Sequence, residues 1–316
     1  AGGYRIERDP RDLYFGFTLG AQSWKPYLFP PRLRLWSARR GERAFEVREE
    51  VEEAAPRAFL GVRPCDLAAI AVQDRVFLGG AHQDSDYRRR RERALLVAVT
   101  CGQAAATCFC TSMGYGPRAE SGFDLALTEL RDATGHRFLV EAGSERGAAV
   151  LAGVRTDEAS PADQRSAGEV ADATAARITR RMPEGIADVL RRSTIHPRWD
   201  EVATRCLACT NCTLVCPTCF CAAIEDTTDL SGEAHRDRRW DSCFTAQHSY
   251  VHGGSVHAST ASRYRQWMTH KLSTWFDQFG SSGCVGCGRC IAWCPAAIDI
   301  TEEAAAIAAA PGDGSC

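Results

Sequence analysis

No apolar run of about eighteen residues occurs anywhere in this 316-residue chain, which argues against a membrane-spanning helix. Neither sign of charge dominates. The chain has 38 Lys and Arg against 40 Asp and Glu, a net charge of −2, so neither a nucleic-acid surface nor an anionic-membrane face is expected. The opening AGGYRIERDP lacks the basic-then-apolar pattern of a secretory signal, which points to the cytoplasm. It also lacks an initiating Met, so the chain is expected to begin inside a longer gene product. No G-x-G-x-x-G follows a candidate strand, and GYGPRAESG does not fit that pattern, so nicotinamide or flavin binding by this chain is not expected. Cysteine, by contrast, is abundant: there are sixteen. In a chain this long, without a signal segment and with C-x2-C spacings, metal ligation is a better reading than disulfides.

Length allows two domains, each with its own core. RAFLGVRP (57–64) reads as a buried strand and ALLVAVT (94–100) as another. DLAAIAVQDRVFLGG (66–80) between them reads as a helix with Asp66 as N-cap. This βαβ order favours a parallel sheet. DLALTEL (124–130) and HRFLVEAG (136–143) are further strands, paired as a hairpin. Beyond GVRTDEASPADQ helix formers prevail: 166–193 reads as helix broken at Pro183, and 261–280 as the clearest helix. The tail holds a short Ala-rich helix and a loose end. The expected class is α+β. An α/β domain with a parallel sheet (1–155) precedes an α-helical ferredoxin-like dicluster domain (156–316).

CLACTNCTLVCP supplies Cys206, Cys209, Cys212 and Cys216, and CVGCGRCIAWCP supplies Cys284, Cys287, Cys290 and Cys294. Each run fills the spacing C-x2-C-x2-C-x3-C-P of bacterial [4Fe–4S] proteins. Thiolates are soft anionic donors that suit iron, and short loops let several converge on one cube. In two-cluster ferredoxins the fourth Cys of each run ligates the other cluster. The expected sets are therefore Cys206, Cys209, Cys212 with Cys294, and Cys284, Cys287, Cys290 with Cys216. Zinc is the plain alternative, but structural zinc usually pairs two C-x2-C units. Cys212, Cys216 and Cys219 also spell C-x3-C-x2-C, a radical-enzyme spacing, yet no barrel-length βα repeat accompanies it. The 67 residues between the runs (217–283) exceed the short β-rich linker of a compact ferredoxin and fit a helical module that passes electrons between subunits.

Eight cysteines lie outside the runs. Cys65 and Cys101 each follow a candidate parallel strand, so both would sit at the same carboxyl edge, where open α/β sheets place their sites. Cys108 and Cys110 return in the loop after Cys101, and a helix N-terminus aimed there favours an anionic group. A third [4Fe–4S] cluster on Cys65, Cys101, Cys108 and Cys110 is expected, and residues 57–150 alone are expected to bind it. Four buried reduced thiols are the competing reading. Cys219 and Cys221 are expected to approach Cys243, closing segment 217–243 into a loop. With His248 they form a candidate site for zinc or a further cluster. Cys243 and His248 are expected on one helical turn. Packing around the neighbouring cluster is the alternative. Cys316 is expected to be free. His82, His252, His257 and His270 receive no role, and no catalytic residue is assigned.

RPCD, CFCTSMGYGP, CLACTNCTLVCPTCFC, RRWDSC, RYRQWMTHKLSTW and SGCVGCGRCIAWCP together resemble the beta subunit of NAD(P)-linked [NiFe] hydrogenases, also called sulfhydrogenases. The A subunit of anaerobic sulfite reductase is similar. The likeness spans most of 57–302. It implies an electron-transfer subunit beside [NiFe] hydrogenase large and small subunits and a flavin subunit that handles NAD(P). Electron input to a sulfite or polysulfide reductase is the alternative it leaves open. The paired cysteines that hold nickel are absent, so hydrogen chemistry would lie in a partner.

Overall fold

The computed structural model describes residues 7–309 apart from positions 9, 19, 43, 52 and 134; Cys316 lies outside the described residues. Eight strands build two four-stranded sheets. In chain order these are β1 (Arg32–Arg40), β2 (Phe45–Glu49), β3 (Arg57–Val62), β4 (Ala94–Val99), β5 (Leu125–Asp132), β6 (Gly135–Ala142), β7 (Ala222–Thr228) and β8 (Glu233–Trp240).

The sheet β3-β4-β5-β6 carries the first group of cysteines. β3 and β4 run parallel with Phe59 opposite Leu96, β4 and β5 run parallel with Val97 opposite Leu125, and β6 returns antiparallel on β5. The apolar residues of β4 are nearly all covered, as befits a central parallel strand. Helix Pro64–Leu78 crosses from β3 towards β4 and buries Leu67 and Ile70 against Leu96. Its N-cap is Arg63 in extended conformation, with Pro64 in the first turn. Asp66 therefore does not cap the helix as expected. It lies in the first turn, 3% exposed, and pairs with Arg289 at 3.0 Å. β4 reaches β5 through residues 100–124, a connection with one short turn of helix (Cys110–Met113). So long a loop between adjacent parallel strands is characteristic of a functional segment.

The second half is not wholly helical. Helices Pro161–Ala176 and Ile186–Arg192 flank the break at Pro183, and Thr260–Thr269 continues through a π-helical turn (His270–Thr274) into Trp275–Phe279. Between the cysteine runs, however, β7 and β8 form a hairpin that completes the sheet β2-β1-β8-β7. Their sequence, AAIEDTT and EAHRDRRW, is polar on both faces, so no apolar alternation announced strands. Pairing with β1 supplies what the local pattern lacks, with Leu33 opposite Arg238 and Ser37 opposite His235. That pairing crosses the division placed near residue 155. The buried core falls into two groups, one around Phe29, Tyr87, Ile70 and Leu96, the other around Trp199, Tyr264, Trp267 and Leu272. Val285 and Trp275 from the far end of the chain complete the first.

Candidate metal centres

The two cysteine runs share one backbone. In the first, Ala208 and Thr210 take left-handed φ of +48° and +68°; in the second, Gly286 and Gly288 take +69° and +72° at the equivalent places. Each pair brackets the second Cys of its run, and a single helical turn follows that carries the third: Asn211–Leu214 with Cys212, Arg289–Ala292 with Cys290. This backbone turns three thiols of each run inwards. Glycine is obligatory only in the second run. A Cβ at Gly288 would lie 2.1 Å from the Thr107 carbonyl oxygen, and one at Gly286 would lie 2.6 Å from the Cys110 nitrogen. The Phe109 N–H donates to the Gly286 carbonyl at 2.9 Å. The loop of Cys108 and Cys110 is thus pressed against the loop of Cys284 and Cys287.

The fourth cysteines cross over. Cys294 and Cys209 are the thiol neighbours of Cys206, and the four thiols of Cys206, Cys209, Cys212 and Cys294 line one cavity of about 30 Å³. Cys216 lies instead among Cys284, Cys287 and Cys290. Burial pushes the Cys284 thiol up to about 12. Cys216 is opposite in sense. A hydrogen bond from Cys219, the Lys271 ammonium and Thr218 hold it well below the ordinary thiol range despite its burial. Thr218 Oγ1 is 3.1 Å and Lys271 Nζ 3.4 Å from its sulfur.

Cys65, Cys101, Cys108 and Cys110 also come together, lining a cavity of about 50 Å³ with Arg63, Cys287 and Arg289. Cys65 stands in the first turn of helix Pro64–Leu78 and Cys101 just beyond β4, so both occupy the carboxyl edge of the sheet. Burial raises Cys101 to about 11 and Cys110 to about 12. Thiols raised in this way keep their protons until a metal displaces them.

The walls suit an anionic group. Arg289 is 2% exposed, borders the Cys65 cavity and leaves Nη1 buried without a hydrogen-bond partner. Tyr264 and Trp267 border the Cys206 cavity, and the Tyr264 hydroxyl and Trp267 indole N–H are likewise buried and unpartnered. A bare protein core rarely leaves such donors idle. The sulfurs of iron–sulfur clusters accept hydrogen bonds of this kind. Zinc fits less well. Its tetrahedral thiolates would stand about 3.8 Å apart, given a Zn–S bond of about 2.3 Å. Among the described residues the one set of three His, Cys, Asp or Glu donors within 4.8 Å of one another is Asp229, Glu233 and His235, at the β7–β8 turn.

Cys219, Cys221, Cys243 and His248 border a more open cavity of about 450 Å³. Its loop is closed by the hairpin ladder, Ala222 opposite Trp240, and by the Asp241 N–H donating to the Cys221 carbonyl at 2.9 Å. Closure, expected from the approach of Cys219 and Cys221 to Cys243, is therefore supplied by the backbone itself. The expected helical turn from Cys243 to His248 is also corrected: residues 241–249 form successive turns. His248 reaches the cavity because Asp241 holds its Nδ1 at 2.9 Å.

Two site residues escaped sequence reasoning altogether. Of 38 basic residues only two are lysines, Lys25 and Lys271, and both lie buried beside Cys216 and Cys219. That scarcity was the available signal. Lys25 stacks 4.1 Å over the Trp240 ring and donates to the Cys216 carbonyl at 3.2 Å. Burial alone would lower Lys271, but the thiols of Cys216, Cys219 and Cys284 raise it well above its ordinary value.

Converging thiols, crossed fourth cysteines and idle donors fit an iron–sulfur electron-transfer protein of the dicluster type. Residues 205–298 match the family described as 4Fe-4S dicluster domain. The chain is also 34% identical over 292 residues to sulfhydrogenase 2 subunit beta of Pyrococcus furiosus, an alignment covering 91% of this chain and 83% of the relative. It belongs to the sulfhydrogenase beta-subunit family. No solved structure matches it. No helix among the described residues is long and apolar enough to cross a membrane.

Proposed function

We propose that this chain relays electrons, within a cytoplasmic complex, between the large and small subunits of a [NiFe] hydrogenase and a flavin subunit that binds NAD(P). Bound [4Fe–4S] clusters supply the one-electron carriers; the chain holds, shields and spaces them. Residues 156–316 provide two crossed sites, Cys206, Cys209, Cys212 with Cys294 and Cys284, Cys287, Cys290 with Cys216. Residues 1–155 provide a third on Cys65, Cys101, Cys108 and Cys110. The observation that carries this reading is the crossing itself, which joins the two runs into one module. Arg289 sits between the Cys65 and Cys284 sets and neutralises charge on both sides. No group on the chain is assigned to hydrogen, sulfur or nicotinamide chemistry.

The test is Cys294→Ala in the anaerobically purified complex. The paramagnetic signal of the cluster on Cys206, Cys209 and Cys212 should vanish, while that of the Cys284 set persists. Loss of the Cys284 signal alone would overturn the crossed assignment. Nickel co-purifying with the wild-type chain supports the hydrogenase partner.

A further inference from the structure

Three thiols and two histidines line a cavity that the three sites above do not use, and of the two imidazoles His270 already has Gln278 Oε1 3.4 Å from its Nε2. Cys219 and Cys221 lie in the irregular segment leading into β7 and Cys243 just beyond β8, so the hairpin brings them to one end of the ladder. Cys243 is 8% exposed and has the Cys221 thiol as a neighbour.

His248 completes the square in a particular way. Its Nδ1 lies 2.9 Å from an Asp241 carboxylate oxygen, so Nδ1–H donates there and Nε2 keeps its lone pair. Metal-bound histidines almost always donate the other ring N–H to a carboxylate, a backbone carbonyl or water, which sets the tautomer and the ring orientation. The side chain is 28% exposed, so Asp241 and not packing fixes it.

The remaining wall offers donors without partners. Trp275 borders this cavity, and its indole N–H is buried and unsatisfied. Lys271, 5% exposed, borders it too, and Lys25 lies within electrostatic reach of Cys219 and Cys221. Two cations and an idle N–H around three thiols ask for an anion larger than a thiolate. A single zinc ion is excluded by spacing, since no three of these four donors lie within 4.8 Å of one another.

We propose that Cys219, Cys221, Cys243 and His248 hold a fourth [4Fe–4S] cluster, ligated by three thiolates and the His248 Nε2. The inference rests on the relay reading above and extends it. The Cys219 and Cys216 sulfurs lie within hydrogen-bond reach of each other, which makes the new site an immediate neighbour of the Cys284 set. Cys65 adjoins Cys287, and Cys212 adjoins Cys290. The Cys284 set is therefore a hub touched by three others, and the relay is branched where three sites alone would make it a line.

The experiment compares wild type, Cys243→Ser and His248→Cys in the anaerobically purified complex, by iron and zinc content and by pulsed paramagnetic resonance after dithionite reduction. Wild type should show one cluster signal with strong coupling to an imidazole nitrogen. Cys243→Ser should lose that signal and about four irons per chain, one cube's worth. His248→Cys should keep the iron but lose the nitrogen coupling, a result that collapse of the fold would not give. Unchanged iron in Cys243→Ser, or loss of zinc in its place, overturns the proposal while the signals of the other sets stand. Absence of those other signals in wild type would instead overturn the relay reading.

Discussion

Lys25 and Lys271 are the clearest case of a residue type kept for its chemistry. Arginine serves this chain everywhere else, yet the two cations between Cys216 and Cys219 are ammonium groups. A planar guanidinium needs room for its fork, whereas an ammonium is a compact charge that fits between two sulfurs and the Gly283 carbonyl, 3.2 Å from Lys271 Nζ. Reducing a cluster adds negative charge, so a buried cation favours the reduced form. Lys271→Met should therefore lower the midpoint potential of the Cys284-set cluster. A hydrogen bond involving a charged group contributes about 1.5–3 kcal/mol, equivalent to roughly 60–130 mV for a one-electron couple. A redox titration followed by paramagnetic resonance measures it; an unmoved or raised potential would contradict the argument. None of this was legible from motif spacing. The first three cysteines of each run were, because they lie within a few residues of one another. Lys271, Arg289, Trp267 and Trp275 reach the sites from segments whose arrival only the fold determines.

At the scale of elements, the paired runs show how one backbone meets two environments. Both need left-handed residues around their second Cys, and a non-glycine residue there is strained by about 1–2 kcal/mol. The first run bears that strain at Ala208 and Thr210, whereas the second cannot, because Thr107 and Cys110 occupy the space a Cβ would need. Thr210→Gly should accordingly leave both dicluster signals intact and hold or raise the thermal midpoint. Gly288→Ala at the equivalent place should cost about 2–4 kcal/mol, combining that strain with overpacking. It should also disturb the Cys65-set and Cys284-set signals together, since it drives their loops apart. If the two substitutions prove equally mild, the loop contact is not tight. The legible elements were apolar runs bounded by turn and cap residues, such as β3, β4 and helix Pro64–Leu78, although β3, expected to be buried, is an edge strand exposed over much of its length. The hairpin β7–β8 was invisible because its strands are stabilised by cross-strand ion pairs, such as Arg236 with Asp226 at 2.6 Å, and by β1.

For the whole molecule, the sequence suggested a first domain able to stand alone with its own cluster, and the fold argues otherwise. β1 belongs to the first half by sequence but to the β7–β8 hairpin by pairing, and Arg32 and Arg34 close on Asp237 at 2.6 and 2.5 Å. Asp237 is 2% exposed, so removing either side strands a buried charge or its partners. Trp275 and Val285 fill the first core, and losing each large buried side chain forfeits about 1.5–3 kcal/mol. Arg289 and the Gly286–Gly288 loop complete the wall of the Cys65 cavity from the far end of the chain. A fragment of residues 1–155 should therefore take up no stable iron on anaerobic reconstitution and should unfold far below the intact chain. Adding residues 156–316 as a separate chain during reconstitution should restore the Cys65-set signal, because what is missing is a surface and not a covalent link. A brown, cooperatively folded 1–155 fragment holding about four irons would show that the first unit is independent and that the shared core is incidental.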